Sequence, residues 1–251
     1  MPQTYCAVLC LNNKNANQFM DGEEMVERRL RHPIPAVDSN GLLTYGGSQL
    51  LSDSAVIKKC GCGVVAAADL FIYAHRNRPG CKCTLFDGFG QTLPIPLKDY
   101  NAALKTLSRK YFPLTPPFGI NGIGLVCGMN LFFRTYRYPM RAHWGVRYSE
   151  LWHSIETMID ADLPAIIAVG PNMPRFWQNN RLGLYARLPD GSRKRIGAVK
   201  AHYMSVTAID DEWLTVSSWG RRYCISRSEY DAYTHAYSNG ILCNIVHIKA
   251  L

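Results

Sequence analysis

Residues 60–74 read Cys60-Gly-Cys-Gly-Val-Val-Ala-Ala-Ala-Asp-Leu-Phe-Ile-Tyr-Ala74, an apolar run interrupted by one charge, Asp69. Ala, Val, Leu and Ile on nearly every position predict a helix buried on almost all faces, at the centre of the molecule. The run falls short of the roughly 18–20 apolar residues that cross a bilayer, so no membrane segment is expected here. Gly61 and Gly63 flank Cys62 and put its thiol at the helix start. Unpaired backbone N–H groups and the positive end of the dipole favour thiolate there, and the same N–H groups suit an oxyanion hole. A small core cysteine fits the position as well.

Outward from this helix, residues 99–110 predict a second one, with Asp99 as N-cap, Leu104, Leu107 and Tyr111 at helical spacing and a stop at Pro113, Pro116 and Pro117. A third is expected over residues 149–159 on the spacing of Leu151, Ile155, Met158 and Ile159. Further on the period changes. Residues 164–169, 199–209, 213–217 and 241–248 are short β-rich runs, separated by turn residues such as Pro189-Asp-Gly191 and Asp210-Asp-Glu212. A helical first half and a strand-rich second half imply an α+β fold, with helices on one side of an antiparallel sheet and a cleft between the layers. Residues 1–48 hold a strand candidate at 5–11, a helix-like piece at 23–31 and a Pro/Gly loop, and read as an N-terminal elaboration of one domain spanning 1–251.

A nucleophilic cysteine needs a base, and His202 lies in the strand-like run Ala198-Val-Lys-Ala-His-Tyr-Met-Ser-Val-Thr-Ala-Ile209, where a fixed backbone can aim the ring across the cleft. The turn after Ile209 returns the chain as an antiparallel partner and brings Ser217 or Ser218 near His202. Three pieces in this order resemble the papain-like cysteine peptidase superfamily, most closely its bacterial branch of bacteriocin-processing leader peptidases. Cys62-Gly-Val-Val-Ala66 is similar to the nucleophile helix start, Ala201-His-Tyr-Met-Ser-Val-Thr-Ala-Ile209 to the histidine strand, and Ser217-Ser-Trp-Gly220 to the Asn-Ser-Trp-Gly element.

The resemblance implies a papain-like fold and a cysteine peptidase or amide hydrolase. Cys62 is its thiolate nucleophile, His202 the imidazolium partner, and Ser217 stands where the family has Asn or Asp to orient the ring. A hydroxyl supplies neither a carboxylate's charge nor an amide's fixed geometry. Asp210 replaces it only if the hairpin bends towards His202. The family's oxyanion Gln falls on Val56 here, so the donor has to come from Gln49 by a different loop path or from Lys59. Losing such a donor costs about 3 kcal/mol of transition-state stabilisation. No cofactor and no metal is implied, and the substrate is a peptide or protein.

Composition sets the rivals. Of 251 residues, 47% are hydrophobic and 19% charged, a folding composition rather than a disordered one. Net charge is +9, but the basic clumps (Arg28, Arg29, Arg31; Arg134, Arg137, Arg141; Arg193, Lys194, Arg195) follow no nucleic-acid module, so no nucleic-acid partner is expected. Nine cysteines cannot all pair within one chain, and residues 1–19 lack a signal-peptide pattern, which points to a reduced, cytoplasmic protein. Two rival readings stay open. Cys60, Cys62, Cys81 and Cys83 could form a Cys₄ zinc centre, against which the single-residue spacing argues. A catalytically degenerate binding module on the same scaffold is suggested by Ser217 and by aromatics including Trp144, Trp152, Trp177 and Trp219.

Overall fold

The computed structural model describes residues 27–89 and 94–251. The expected strand at 5–11, and residues 23–26 of the expected helix, lie outside them. Along the chain come β1 (Arg28–Arg29), β2 (Val37–Ser39), β3 (Leu42–Leu43), α1 (Ala55–Cys60), α2 (Cys62–Asn77), β4 (Ile95–Pro96), α3 (Leu97–Lys110), α4 (Gly122–Thr135), β5 (Met140–Trp144) and α5 (Leu151–Asp160). Then follow β6 (Ala165–Val169), β7 (Leu182–Arg187), β8 (Arg193–Val199), β9 (His202–Ile209), β10 (Trp213–Ser218), β11 (Arg221–Ser226), α6 (Arg227–Tyr237) and β12 (Ile245–Ala250). Helices dominate the first half and strands the second, as an α+β reading requires.

The main sheet is antiparallel throughout, in the order β5-β12-β6-β9-β10-β11-β7-β8. β6 covers residues 202–206 of β9, and β1 continues on the same edge by pairing with Ala208 and Ile209. Every residue of β6 is buried, and β9 is buried at all but Tyr203. Because successive side chains point to opposite faces, the central strands are covered on both sides, not on one as the sequence pattern suggested.

Helix α2 is the centre of the core. Its twelve residues from Gly63 to Ala74 are all buried, and α2 contacts α3, α4, β6 and β9. It is separated by Gly61 from α1, whose N-cap Ser54 accepts from the Ile57 amide. In α3, Tyr100, Ala103, Leu104 and Leu107 form the buried stripe. That helix starts at Leu97 after Pro96, so Asp99 sits in the first turn, where it favours the helix dipole without capping it. Within residues 27–31 there is no helix, and Arg28–Arg29 form a strand: β1 gains ladder bonds on β9 that an isolated charged turn of helix lacks. The expected strand over 199–209 is broken at Ala201, which has a left-handed φ of 49° and starts β9 afresh at His202. Among the described residues no helix is long and apolar enough to cross a membrane.

Candidate active site

One small cavity gathers residues from four parts of the chain. Helix α2 contributes Cys62, Val65, Ala66 and Asp69, the i, i+3, i+4, i+7 positions of one helical face. The start of β9 contributes His202, Tyr203 and Ser205; the end of β10 and its turn contribute Ser217, Ser218 and Trp219; Gly47 and Gln49 come from the loop before α1. The cavity measures about 10 Å³, the lower limit for seating one water molecule. The sequence-predicted pair, Cys62 and His202, therefore both line this one cavity.

At its helix start Cys62 is half-buried, with the amides of Tyr203, Gly63 and its own backbone aimed at the sulfur. Burial nevertheless pushes its thiol up from the ordinary value, and the N–H groups offset only part of that. His202 is pushed down to about 4 by burial. Desolvation disfavours the charged form of both groups. The resting pair near neutral pH is thus a thiol and a neutral imidazole, rather than the ion pair that the helix terminus alone suggests.

The hydroxyl that meets the ring is Ser218: His202 Nε2 lies 2.7 Å from Ser218 Oγ. Ser217 Oγ instead donates to the carbonyl of Tyr45 at 2.7 Å. A register shift between Thr215 and Val216 in the β9–β10 pairing decides which of the two hydroxyls faces which neighbour. Asp210 is no substitute. It accepts from the Glu212 and Trp213 amides and pairs with Arg193 at the other end of β9, more than about 20 Å of strand from His202.

Trp219 and Gly220 form the two-residue turn between β10 and β11, both with left-handed φ, 49° and 73°. Asn, Asp or Gly usually occupy such positions, and a bulky residue there costs about 1–3 kcal/mol. The indole gains a stacked contact on His202, 4.5 Å between ring centroids at 27°, and an edge contact with Tyr223. This turn is tied to the loop before α1: Tyr45 N donates to Gly220 O, and Gly220 N to Gly47 O.

Gln49, which needed an unusual loop path, lines the cavity; its Nε2 donates one hydrogen to Lys58 O, leaving the second available. Val56 and Lys59 are exposed and do not line it. Asp69, singled out in sequence only as a charge in an apolar run, is a buried carboxylate on the cavity wall. Both its oxygens accept from Gly47 N, at 3.0 and 2.8 Å, and Oδ1 also accepts from Tyr100 OH at 2.8 Å. Burial pushes its carboxyl up to about 7. The signal for this loop was the pair Gly46-Gly47. A Cβ on Gly46 would lie 2.1 Å from Ser217 Oγ, and one on Gly47 would lie 1.8 Å from Tyr100 OH.

Two thiol pairs lie at opposite ends of α2. Cys60 and Cys62 are at its start, whereas the Cys83 amide donates to His75 Nδ1 in the last turn. Sixteen helical residues separate the ends by about 24 Å, so the four sulfurs cannot bind one zinc ion. Among the described residues no three metal-ligating side chains cluster, and all seven described cysteines are free. No family model, no curated protein and no solved structure matches the chain.

Proposed function

We propose that the protein is a cysteine-dependent amide or peptide hydrolase of papain-like arrangement, working on a peptide or protein substrate in a reducing, cytoplasmic setting. The observation that carries this reading is that Cys62, at a helix start, and His202, at a strand start, line one cavity together with Gln49. With Nε2 donating to Ser218 Oγ, Nδ1 of the neutral ring is the free acceptor. It takes the thiol proton as sulfur bonds to the carbonyl carbon. Backbone N–H groups at the start of α2 and the second hydrogen of Gln49 then face the developing oxyanion. Collapse returns the proton to the leaving amine and leaves a thioester, which water hydrolyses with His202 again as base.

This order of events, proton transfer during attack, follows from two groups that both rest uncharged. The small cavity requires the wall to part for a substrate, and Cys62, Tyr203 and Trp219 are among the lining residues that keep partial exposure. The same tightness favours the second reading, a catalytically degenerate binding module, and one experiment separates them. Alkylation with iodoacetamide, read at each cysteine by peptide mapping, is expected to modify Cys62, and His202→Ala is expected to slow that modification at least tenfold. The exposed Cys127 is the internal control and should keep its rate. A Cys62 that is inert, or labels equally with and without His202, leaves the binding module as the better account.

A further inference from the structure

Asp69 is the one carboxylate on the cavity wall, and the chemistry above does not use it. Seven residues on from Cys62, it lies about 10 Å further along the helix, too far to exchange a proton with the thiol directly. Its bonds lead elsewhere. Its two oxygens share the Gly47 amide hydrogen, with Tyr100 OH of α3 as the second donor. Gly47 O in turn accepts from Gly220 N, while Tyr45, two residues earlier, receives Ser217 Oγ on its carbonyl and donates its amide to Gly220 O. Gly220 and its neighbours Trp219 and Ser218 form the turn whose indole and hydroxyl hold the His202 ring on its face and at Nε2.

We propose that Asp69 is a positioning residue for His202: by gripping Gly47 it locks the loop at 45–47 onto the β10–β11 turn and so fixes Trp219 and Ser218 against the imidazole. The inference rests on the Cys62–His202 reading for the chemistry it serves, while its geometry stands apart from it. The carboxylate suits this role better than an amide would. An asparagine presents one oxygen for two donors, Gly47 N and Tyr100 OH, and sets an N–H group where the second oxygen was. Charge also strengthens the grip, since N–H groups bond an ionised acceptor about twice as strongly as a neutral one.

Ionisation of Asp69 near neutral pH therefore tightens the loop. The other titratable groups facing this cavity are Cys62 on the same helix, Tyr100 on α3, and His202 and Tyr203 on β9. The loop at 46–49 and the turn at 217–220 contribute none. Burial pushes Cys62, Tyr100 and Tyr203 up and His202 down to about 4, which leaves Asp69 alone among them to titrate around pH 7.

The test is the titration of the His202 ring, followed by NMR in the full-length protein with labelled imidazoles, its signals assigned by their loss in His202→Gln. In the unsubstituted protein the ring should stay neutral to about pH 4 and show a second, smaller inflection near pH 7. In Asp69→Asn the pH 7 inflection should vanish, and the ring pKa should rise by at least one unit towards the ordinary histidine value; Asp69 is itself protonated where the ring titrates, so this rise reads the lost acceptor geometry, and the pH 7 inflection reads the charge. A folded Asp69→Asn protein whose His202 titration overlays the original overturns the proposal, whatever its melting temperature, because a merely structural carboxylate would move only stability. If Asp69→Asn does not fold, Tyr100→Phe removes one of the two donors, and a ring pKa unmoved in that variant overturns the proposal equally. Cys62 alkylation is scored separately. A shifted ring beside an inert Cys62 upholds the positioning role and sinks the hydrolase, while a reactive, His202-dependent Cys62 beside an unshifted ring does the reverse.

Discussion

Helix α2 presents two faces that obey different rules. On one, Phe71 stacks on Phe132 at 3.8 Å and 4° and meets Phe133 edge-on, with Phe112 stacked further off, and Phe86 extends the cluster beside Phe132. On the other, Cys62 and Asp69 border a cavity shared with His202, Ser205, Ser217 and Ser218. The aromatic face gains from every square ångström it hides, at about 25 cal/mol each. The cavity face hides a carboxyl and an imidazole at a cost that varies with pH, and a hydroxyl, Ser205 Oγ, that has no hydrogen-bond partner among the described residues. One helix thus carries a buried aromatic ring on one face and a thiol and a buried carboxyl on the other.

The largest effect should come from the aromatic face. Phe71→Ala removes a fully buried ring and is expected to cost about 3–5 kcal/mol, measured by urea unfolding. That loss should be the same at pH 5 and pH 8, because nothing titratable is disturbed. A loss that changed with pH would mean that the two faces are coupled, and the contrast drawn above would fail.

A smaller effect, of opposite character, belongs to the cavity face. In the unfolded chain a histidine titrates near 6.5 and an aspartate near 3.9. Between about pH 4 and 6.5 the unfolded chain binds a proton at residue 202 that the folded site refuses, so His202 makes stability rise with pH across that window. Asp69 does the reverse: between about pH 4 and 7 the folded protein keeps a proton that the unfolded chain releases, so its contribution falls as pH rises and then levels off. The two slopes oppose each other in the original protein. His202→Gln removes only the first, so its stability should fall relative to the original by about 1.4 kcal/mol per pH unit between pH 4.5 and 6.5. Parallel stability curves for the two proteins would show that His202 is not held neutral by burial.

The same contrast explains what was legible in the sequence. The apolar face of α2, the stripes of α3 and α5 and the hairpin of β9 and β10 announce themselves through periodicity, because burial of apolar surface repeats along an element. Helix α4 escaped notice because Gly122, Gly124 and Gly128 look like breaks. In fact a Cβ would lie 2.2 Å from Trp144 at Gly122 and 2.2 Å from the Tyr111 carbonyl at Gly128, so close packing and not a turn demands glycine there. Helix α6, with Tyr230, Tyr233 and Thr234 buried, hid its stripe in aromatic and polar residues. The candidate site was legible in its two poles, Cys62 and His202, which follow from a helix start and a strand. Its walls were not: Gly47, Gln49 and Asp69 meet only through a loop whose path no local pattern encodes.

The smallest effect bears on the one site assignment that differs by a single residue. By sequence Ser217 holds the place of the ring-orienting residue, whereas the geometry gives that contact to Ser218 and spends Ser217 on the Tyr45 carbonyl. A single hydrogen bond of this kind contributes about 1 kcal/mol, equivalent to roughly a fivefold change in rate. Ser218→Ala should therefore slow His202-dependent alkylation of Cys62 about fivefold, since Nε2 loses its acceptor and the ring is no longer biased towards a basic Nδ1. Ser217→Ala should slow it less than twofold, because it loosens the loop while leaving the imidazole's own partner in place. The rates are read at Cys62 against the exposed Cys127 in the same samples. A larger effect from Ser217 than from Ser218 would restore the assignment made from sequence, and would mean that the register shift between Thr215 and Val216 does not decide which hydroxyl serves the ring.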